Sequence, residues 1–454
     1  MALLLVFIIT LLSITKSDSS TPAAHVFSVT DYGAVGDGNT YDTQQIQAAI
    51  DACHAAGGGT VSFPKKIFLV GTIFLKSGVQ LKFNDSTILG GTKMEDYPTD
   101  PHRWFVVLAE NATDVGIIGD LGTIDGQGEK YIEKLDEKSS VMKSWNTTGV
   151  CHGDRCRPRL VGFFDCKNVT VNGMILRIPA ISNLHIVRCE NTFLGDSILE
   201  SHFYIPHNHG ILIEDSNNTF INNTLVDNGG NAITLKTLKG PIFNLRVTES
   251  ELITKLSAIK FGSGSRFDFN GIIFDNINVY DSHRGITMQL REGGMASDIT
   301  FSNMNINLDY KGGGKAEWTR AEPIYIVSKS RISNLRFINI TSHSEKGVVL
   351  SGGSRHEGVL RNVKLVNVNL TFYNTNLTDN AELDNESCGC NQNKQPSAGI
   401  RLEYIDGLLI ENMLMRWVRS GSNSESAWKN FNTFDFRPST VNNVSIHSFS
   451  SSLD

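Results

Sequence analysis

The chain has 454 residues, of which 40% are apolar and 19% are charged, and its formal net charge is −6. This length supplies a sizeable core, and the composition excludes an intrinsically disordered protein. The acidic balance and the absence of a lysine and arginine cluster argue against a nucleic-acid-binding protein.

The N-terminus has the pattern of a secretory leader. Residues 2–14, ALLLVFIITLLSI, are almost all apolar, and small and polar residues follow from Ser17 to Ala24. The run is too short for a membrane helix, so it predicts a signal peptide over residues 1–20, with an uncleaved anchor as the alternative. We therefore expect a secreted, extracellular protein that has no membrane attachment after cleavage.

Asn-x-Ser/Thr sequons support the same route, because N-glycans are added only in the secretory pathway. Eleven occur, at Asn84, Asn111, Asn146, Asn168, Asn217, Asn222, Asn339, Asn369, Asn376, Asn385 and Asn443. A β protein rich in Asn and Thr also forms such triplets by chance. We expect about half of them to carry a glycan.

The seven cysteines indicate disulfides and thiols, with no metal site. Cys151 and Cys156 bracket the loop CHGDRC, and their spacing favours a disulfide in an oxidising compartment. Cys166 and Cys189 lie 23 residues apart in matching contexts, and either a disulfide or two buried thiols fits them. The sequence contains no CxxC pair of the kind that binds zinc. We therefore expect neither a metal nor a cofactor.

The mature chain opens with a strand at Val26–Val29 and then a single helix from about Thr43 to about Ala56. Its apolar residues recur at helical spacing, at Ile46, Ala49, Ile50 and Cys53. Gly57, Gly58 and Gly59 end it. We expect this helix to cap the open end of a stack of strands, where edge and core would otherwise be exposed.

Short β runs recur at regular intervals from Thr60 onward. Asparagines mark the polar corners that follow them, at Asn168, Asn191, Asn218, Asn244 and Asn270, spaced 23, 27, 26 and 26 residues apart. A period of about 22–28 residues built only of strands is typical of a parallel β-helix. The chain is therefore predicted to be all-β, with one β-helix domain over residues 26–454.

The stretch His207–Lys236 contains two successive coils of this pattern. The pair Ile211 and Ile213 recurs as Ile233 and Leu235, 22 residues later. The repeat places His209 above Asn231, with ~4.8 Å between their backbones. Two groups at that spacing could form an active site.

The segment FSVTDYGAVGDGNTYDTQQIQAAIDACHAAGGGTVSFP resembles the N-terminal block of plant polygalacturonases, glycoside hydrolase family 28. GTIFLKSGVQL, GTIDGQG and the later coils extend the resemblance from about residue 26 to the C-terminus. The resemblance implies a single-stranded, right-handed parallel β-helix that acts on pectin in the plant cell wall. It also implies inverting hydrolysis of α-1,4-galacturonosyl bonds.

The family's site uses three aspartates, one in Asn-Thr-Asp and two in Gly-Asp-Asp, with a histidine in Gly-His-Gly and a basic pair in Arg-Ile-Lys. The matching positions in this chain are His209, Gly230, Asn231, Ser257, Thr287 and Gln289. All of the family's catalytic side chains are replaced. Glycosidic hydrolysis needs both an acid and a base, so these replacements predict weak activity or none.

Strand alternation predicts which side chains face the groove. The predicted inward set is Ile211, Ile213, Ile233, Leu235, Ile259, Phe261, Ile286, Met288 and Leu290. The predicted outward set, on an exposed face, is Leu212, Glu214, Thr234, Lys236, Lys260, Thr287, Gln289 and Arg291. Its charged members are predicted to contact a pectic polyanion; alternatively, they are solvated charges with Glu214 paired to Lys236.

Two histidines of this region also need an interpretation. His209 could act as a base beside Glu214 or Asp215, but a hydrogen-bonded histidine on the groove floor is the favoured reading. His185 lies on an apolar run and is predicted to be a satisfied core or edge histidine.

Two functions remain open from the sequence. One is a polygalacturonase that acts through relocated groups, and the other is a non-catalytic homologue that binds pectin or another wall polysaccharide. The site chemistry favours the second. In both cases we expect a monomer whose partner is a polygalacturonate-like polymer.

Overall fold

A computed structural model describes residues 25–136, 140–145, 156–308, 321–354, 358–373, 398–418, 432–436 and 438–453. The predicted leader at 1–20, Cys151, and the sequons at Asn146, Asn376 and Asn385 lie outside these ranges. Cys156 is disulfide-bonded, and its partner lies outside them as well. None of the helices in the described ranges is long and apolar enough to cross a membrane.

The predicted capping helix is present as α1, Thr43–Ala55. Its four predicted apolar residues are fully buried, which confirms the helical spacing. Short 3-10 turns occur at Val29–Tyr32, Met94–Asp96, Pro101–Arg103, Gly128–Tyr131 and Pro438–Thr440. The helix packs on the first coils, where it covers the end of the core.

Twelve short strands form one parallel sheet, the groove sheet. They are β5 (Ile73–Leu75), β8 (Phe105–Glu110), β12 (Arg159–Phe164), β14 (Ser182–Val187), β16 (His209–Glu214), β18 (Ile233–Thr237), β20 (Ser257–Ser265), β22 (Arg284–Met288), β24 (Ile324–Ser328), β26 (Val348–Gly352), β28 (Ala398–Glu403) and β30 (Asn432–Phe436).

Seventeen strands form the second sheet, the wide sheet. They are β1 (Val26–Ser28), β2 (Asp37–Tyr41), β3 (Gly59–Phe63), β4 (Ile67–Val70), β6 (Val79–Asn84), β7 (Thr87–Gly90), β9 (Thr113–Asp125), β13 (Lys167–Arg177), β15 (Glu190–Glu200), β17 (Asn217–Asn228), β19 (Ile242–Thr254), β21 (Phe269–Tyr280), β23 (Ala296–Asn307), β25 (Ile332–Ser344), β27 (Leu360–Tyr373), β29 (Ile405–Val418) and β31 (Val441–Leu453). A separate antiparallel hairpin joins β10 (Ile132–Lys134) to β11 (Val141–Met142).

From β12 onward the strands alternate between the two sheets, so the strands that pair are two steps apart in the chain, as in the series β14, β16, β18 and β20. This is a single-stranded, right-handed parallel β-helix, as predicted. All nine predicted inward residues of the groove sheet are fully buried. The rings of Phe274, Phe301 and Phe337 stack along the core with centroids 5.4 and 5.3 Å apart.

The predicted asparagine corners form a ladder between coils. Asn191 donates from Nδ2 to Asn168 Oδ1 at 3.1 Å, Asn218 donates to Asn191 at 3.2 Å, and Asn244 donates to Asn218 at 2.8 Å. These four residues have φ between 53 and 58°. Asparagine tolerates this left-handed conformation, and so it can turn the chain at every coil. Asn270 differs, because it donates to Ser297 Oγ at 2.6 Å.

Cys166 and Cys189 are free thiols, and both are buried. They precede β13 and β15, whose register places one above the other. Of the two readings that the sequence left open, the structure therefore shows the buried thiols.

Candidate functional site

The positions that match the family's catalytic residues lie on four neighbouring strands of the groove sheet. His209 opens β16 and Asn231 precedes β18, and Gly210 N donates to Asn231 O at 3.0 Å across the two coils. Ser257 opens β20 and is the register partner of Arg284 on β22. The predicted stacking of His209 above Asn231 is therefore present in the fold.

Hydrogen bonds connect the replacement residues to one another. Asn231 N donates to His209 Nδ1 at 3.1 Å, and Ser257 N donates to Asn231 Oδ1 at 3.1 Å. The hydroxyls of Ser257 and Thr287 are 2.9 Å apart. Asn231, Ser257, Thr287 and Gln289 are buried. We call His209, Asn231, Ser257 and Thr287 the replacement network.

The replacement network determines which ring nitrogen of His209 carries the proton. Its Nδ1 accepts a hydrogen bond from a backbone N–H, so that nitrogen carries no proton and the neutral ring has its proton on Nε2. Asp215, one of its suggested partners, is used elsewhere: it accepts from the backbone N–H groups of Leu238 at 2.6 Å and Lys239 at 3.0 Å. The favoured reading of a hydrogen-bonded histidine on the groove floor agrees with this geometry.

Buried asparagines brace the backbone under the network. Asn228 Nδ2 donates to the carbonyls of Asn208 at 2.7 Å and Asn231 at 2.9 Å. Thr254 Oγ1 donates to the carbonyl of Gly230. The backbone that carries the family's catalytic positions is therefore held by side chains of neighbouring coils.

Gly230 occupies a family aspartate position that has no room for a side chain. A Cβ there would lie 2.8 Å from His209 Nδ1 and 2.9 Å from the carbonyl oxygen of Asn208. Real Cβ atoms essentially never come so close, so an aspartate needs a shift of the backbone. The present packing is therefore incompatible with an aspartate at position 230.

We expect Gly230→Ala to lower the free energy of unfolding by about 1–3 kcal/mol, because the added methyl overpacks the loop. Chemical denaturation measures it. Gly240→Ala is the matched control, since a Cβ there meets only Asp215 Cβ at 3.6 Å. Equal stability of the two variants would contradict the steric argument.

Two carboxyls lie side by side on neighbouring strands of the wide sheet. Asp227 on β17 is the register partner of Glu200 on β15, and this is the last pair between the two strands. Burial raises the pKa of Asp227, and the charges of Glu200 and Asp281 raise it further. A carboxyl of this kind keeps its proton to higher pH than an ordinary aspartate does, which is a property of a general acid.

The outer face of the groove sheet is less open than the sequence predicted. Leu212, Thr234, Thr287 and Gln289 are buried, whereas Lys236 and Lys260 are half-buried. Coils stack ~4.8 Å apart, so a long side chain on one coil covers a short neighbour on the next. The prediction of an exposed face was therefore wrong for these four residues.

Glu214 and Lys236 form the ion pair that the sequence offered as an alternative, with Oε1 and Nζ 3.6 Å apart. His185 Nε2 lies 3.5 Å from the same oxygen. Burial raises the pKa of Glu214, but His185 and Lys236 outweigh it and hold that pKa below its ordinary value. Burial lowers the pKa of His185. Glu214 is therefore an ionised carboxylate beside Lys236 and His185.

His185, which the sequence predicted to be a satisfied core or edge histidine, lies on the outer face of the groove sheet. It is the register neighbour of Leu212 on the outer face, and neither ring nitrogen has a hydrogen-bond partner among the described residues. Its ring meets Phe164 edge-on at 5.3 Å. Strand alternation could have found it, because Leu184 and Ile186 on either side are buried in the core.

Arg159 is a second residue that sequence reasoning missed. Its guanidinium carbon lies 5.3 Å from the centre of the Phe105 ring, and burial lowers its pKa although Glu214 opposes this effect. With His185, Glu214 and Lys236 it forms a charged patch beside the replacement network on the groove sheet. Its only sequence signal was its place directly before the apolar run that starts at Leu160.

The predicted cations Lys260 and Arg291 lie on the other side of the network. Lys260 is the register neighbour of Thr234 and Thr287, and Arg291 follows Leu290 just beyond β22. The backbone N–H of Arg291 donates to Ser265 Oγ at 2.9 Å. The four predicted contact residues are thus distributed along one face of the groove sheet.

A buried ion pair lies beside the replacement network, since its Arg284 is the register partner of Ser257. Arg284 Nε donates to Glu322 Oε2 at 2.8 Å, and the guanidinium lies 3.9 Å from the centre of the Tyr325 ring. Burial, together with the charges of Lys255 and Arg284, lowers the pKa of the adjacent His283 to about 4. No group of three or more metal-ligating side chains occurs within the described ranges.

Comparisons with known proteins place this geometry in a family. The sequence model of glycosyl hydrolases family 28 matches residues 53–390. An exo-poly-α-D-galacturonosidase from Dickeya chrysanthemi is 26% identical over 262 residues, 48% of this chain and 43% of that protein. A probable polygalacturonase from Vitis vinifera is 24% identical over 315 residues, 62% of this chain and 61% of that protein. Both alignments span less than two thirds of the relative.

A solved structure has the same fold. The family 28 exopolygalacturonase of Yersinia enterocolitica superposes with a TM-score of 0.63 at 17% identity, over 95% of this chain and 78% of that one.

Proposed function

Because this chain belongs to glycosyl hydrolases family 28, we propose that it is a secreted, monomeric wall protein that binds a pectic polyanion in the family's groove without hydrolysing it. Residues 1–20 act as the leader in this proposal, and residues 26–454 form the mature β-helix domain. Recovery of the chain from the culture medium of plant cells, starting after residue 20, tests the secretion step.

The replacement network is the observation that carries the proposal. Its members donate to and accept from one another, and none is a carboxylic acid. Hydrolysis needs one group to protonate the leaving oxygen and another to activate water on the opposite face of the sugar. Neither Asn231 nor Ser257 can do the first, and His209 alone cannot do both.

The groove retains what binding needs. Polygalacturonate has one carboxylate per sugar, and one sugar is roughly as long as the ~4.8 Å spacing of the coils. Arg159, Lys236, Lys260 and Arg291 recur along several coils of the same face. Cations at successive coils can therefore contact successive carboxylates.

We expect Lys260→Ala and Arg291→Ala each to weaken polygalacturonate binding about tenfold, which corresponds to roughly 1.4 kcal/mol. Affinity electrophoresis or calorimetry measures it, and added salt should weaken native binding through screening. Lys82→Ala is the control, because Lys82 is exposed on the wide sheet. If the three variants bound equally well, the groove assignment would be wrong.

A second candidate function is hydrolysis through relocated groups. The raised pKa of Asp227, beside Glu200, favours it, since these carboxyls precede the strands that carry the family positions. Turnover by the native chain that disappears in Asp227→Asn would support this candidate over the binding protein.

A further inference from the structure

One concavity of the described surface is on the wide sheet, outside the groove sheet. It has a volume of about 830 Å³ and opens over β17, β19, β21 and β23. Phe220 and Asn222 on β17 face Arg246 and Thr248 on β19, their register partners. The floor therefore combines an aromatic ring with amide, hydroxyl and charged groups, and the groove function uses none of them.

A sequon lies in this floor. Asn222, Asn223 and Thr224 form the triplet, and Phe220 precedes the acceptor by two residues. Residues two apart on a strand share a face, and the Ile221 side chain between them is fully buried. Phe220 is 39% exposed, which is unusual for phenylalanine on a sheet.

The hydrogen bond of the Asn222 amide to Thr248 uses its oxygen and not its nitrogen. Thr248 Oγ1 donates to Asn222 Oδ1 at 2.7 Å. A glycan is attached through Nδ2, so this hydrogen bond survives the modification. The sequons of the corner ladders differ: the Nδ2 atoms of Asn168 and Asn339 donate to the next rung at 2.8 and 2.9 Å, and a glycan there competes with the ladder.

We propose that Asn222 carries an N-glycan whose first N-acetylglucosamine packs its apolar face on the Phe220 ring within this concavity. In the transfer, the Asn222 Nδ2–C1 bond forms, the sugar's C1–O bond to a lipid pyrophosphate donor breaks, and Nδ2 loses one proton. The glycan covers an aromatic pair, since the Phe193 ring lies 5.8 Å from Phe220. Arg246 and Asp275 provide polar contacts at its edge.

The inference rests on the secretion step of the proposed function. Measurement of the glycan at each sequon separately distinguishes a failure of the inference from a failure of secretion. The full chain is produced in plant cells with its own leader, and glycopeptides are measured by mass spectrometry. Asn84, Asn111 and Asn369 are exposed sequons without an aromatic residue two positions before them, and they serve as internal controls. We expect glycan on Asn222. Occupied controls with a bare Asn222 overturn this inference alone, whereas an intracellular chain without any glycan overturns both proposals.

The packing on Phe220 has its own test. We expect enzymatic deglycosylation to lower the melting temperature of the native chain by about 2 °C, and to have no effect in Phe220→Ala. Phe243→Ala is the matched control, because Phe243 is similarly exposed on the next strand of the wide sheet but does not line the concavity. Asn222→Gln carries the other glycans but none at position 222. Its deglycosylation should therefore not produce the fall in melting temperature that the Asn222 glycan causes. An equal shift in Phe220→Ala and Phe243→Ala contradicts the packing.

Discussion

Purified full-length protein incubated with polygalacturonate is expected to release new reducing ends at least about 10⁴-fold more slowly than an active family member does. The physical reason is the replacement network, in which amide, hydroxyl and imidazole groups lie at the positions predicted to match the family's acid and base. The measurement is a reducing-end assay, with an active family 28 enzyme run in parallel. Rapid release by the native chain would refute the binding-only function.

Carboxylates placed back into the network make the test sharper. We expect His209→Asp/Asn231→Asp to gain measurable turnover, because the two acids return to neighbouring coils at the family positions. His209→Asn is its isosteric control, since native Asn231 already has the shape of aspartate. Gly230 is left unchanged because a Cβ there clashes with the Asn208 carbonyl. Equal rates in the two variants would show that the missing carboxylates are not what limits the native chain.

The second large effect is on stability: Arg284→Met is expected to lower the free energy of unfolding by about 3–5 kcal/mol. The side chains of Arg284 and Glu322 are only 5% and 8% exposed. Removal of the arginine leaves a buried carboxylate without its partner, and it also removes the contact with the Tyr325 ring. Chemical denaturation followed by circular dichroism measures the change.

Two variants control this prediction. Arg266→Met removes a pair of similar geometry, Nε to Glu292 Oε2 at 2.9 Å, whose side chains are 64% and 38% exposed. Solvent screens such a pair, so we expect a change below about 1 kcal/mol. Arg284→Met/Glu322→Leu should recover most of the lost stability, because no buried charge then remains. An equal effect of Arg266→Met and Arg284→Met would rule out burial as the cause.

Much of the fold could be read from local patterns. Alternation in His207–Lys236 identified the inward residues, and all of them are buried. The recurring asparagines identified the corners, because few other residues turn a chain through the left-handed region. Helical spacing located α1 to within one residue of its end.

The candidate site was only partly predictable. Strand alternation gives the side of the sheet on which a residue lies. It gives no measure of how far side chains of neighbouring coils cover that residue. Thr234 and Thr287 were therefore predicted to be exposed and are buried. Arg159 escaped notice because it only precedes an apolar run, and His185 was noticed but was not assigned to this face. Only the stacking of coils brings the two residues beside Glu214.

The sequence by itself determined the β-helix, and it predicted the place of the family's site and the replacement of its carboxylates, because each of these is a matter of spacing or of residue identity. Only the tertiary structure decided that the replacements bond to one another. Their partners come from different coils, 22, 26 and 30 residues apart. Whether such groups meet depends on register and side-chain direction, which are set when the coils stack.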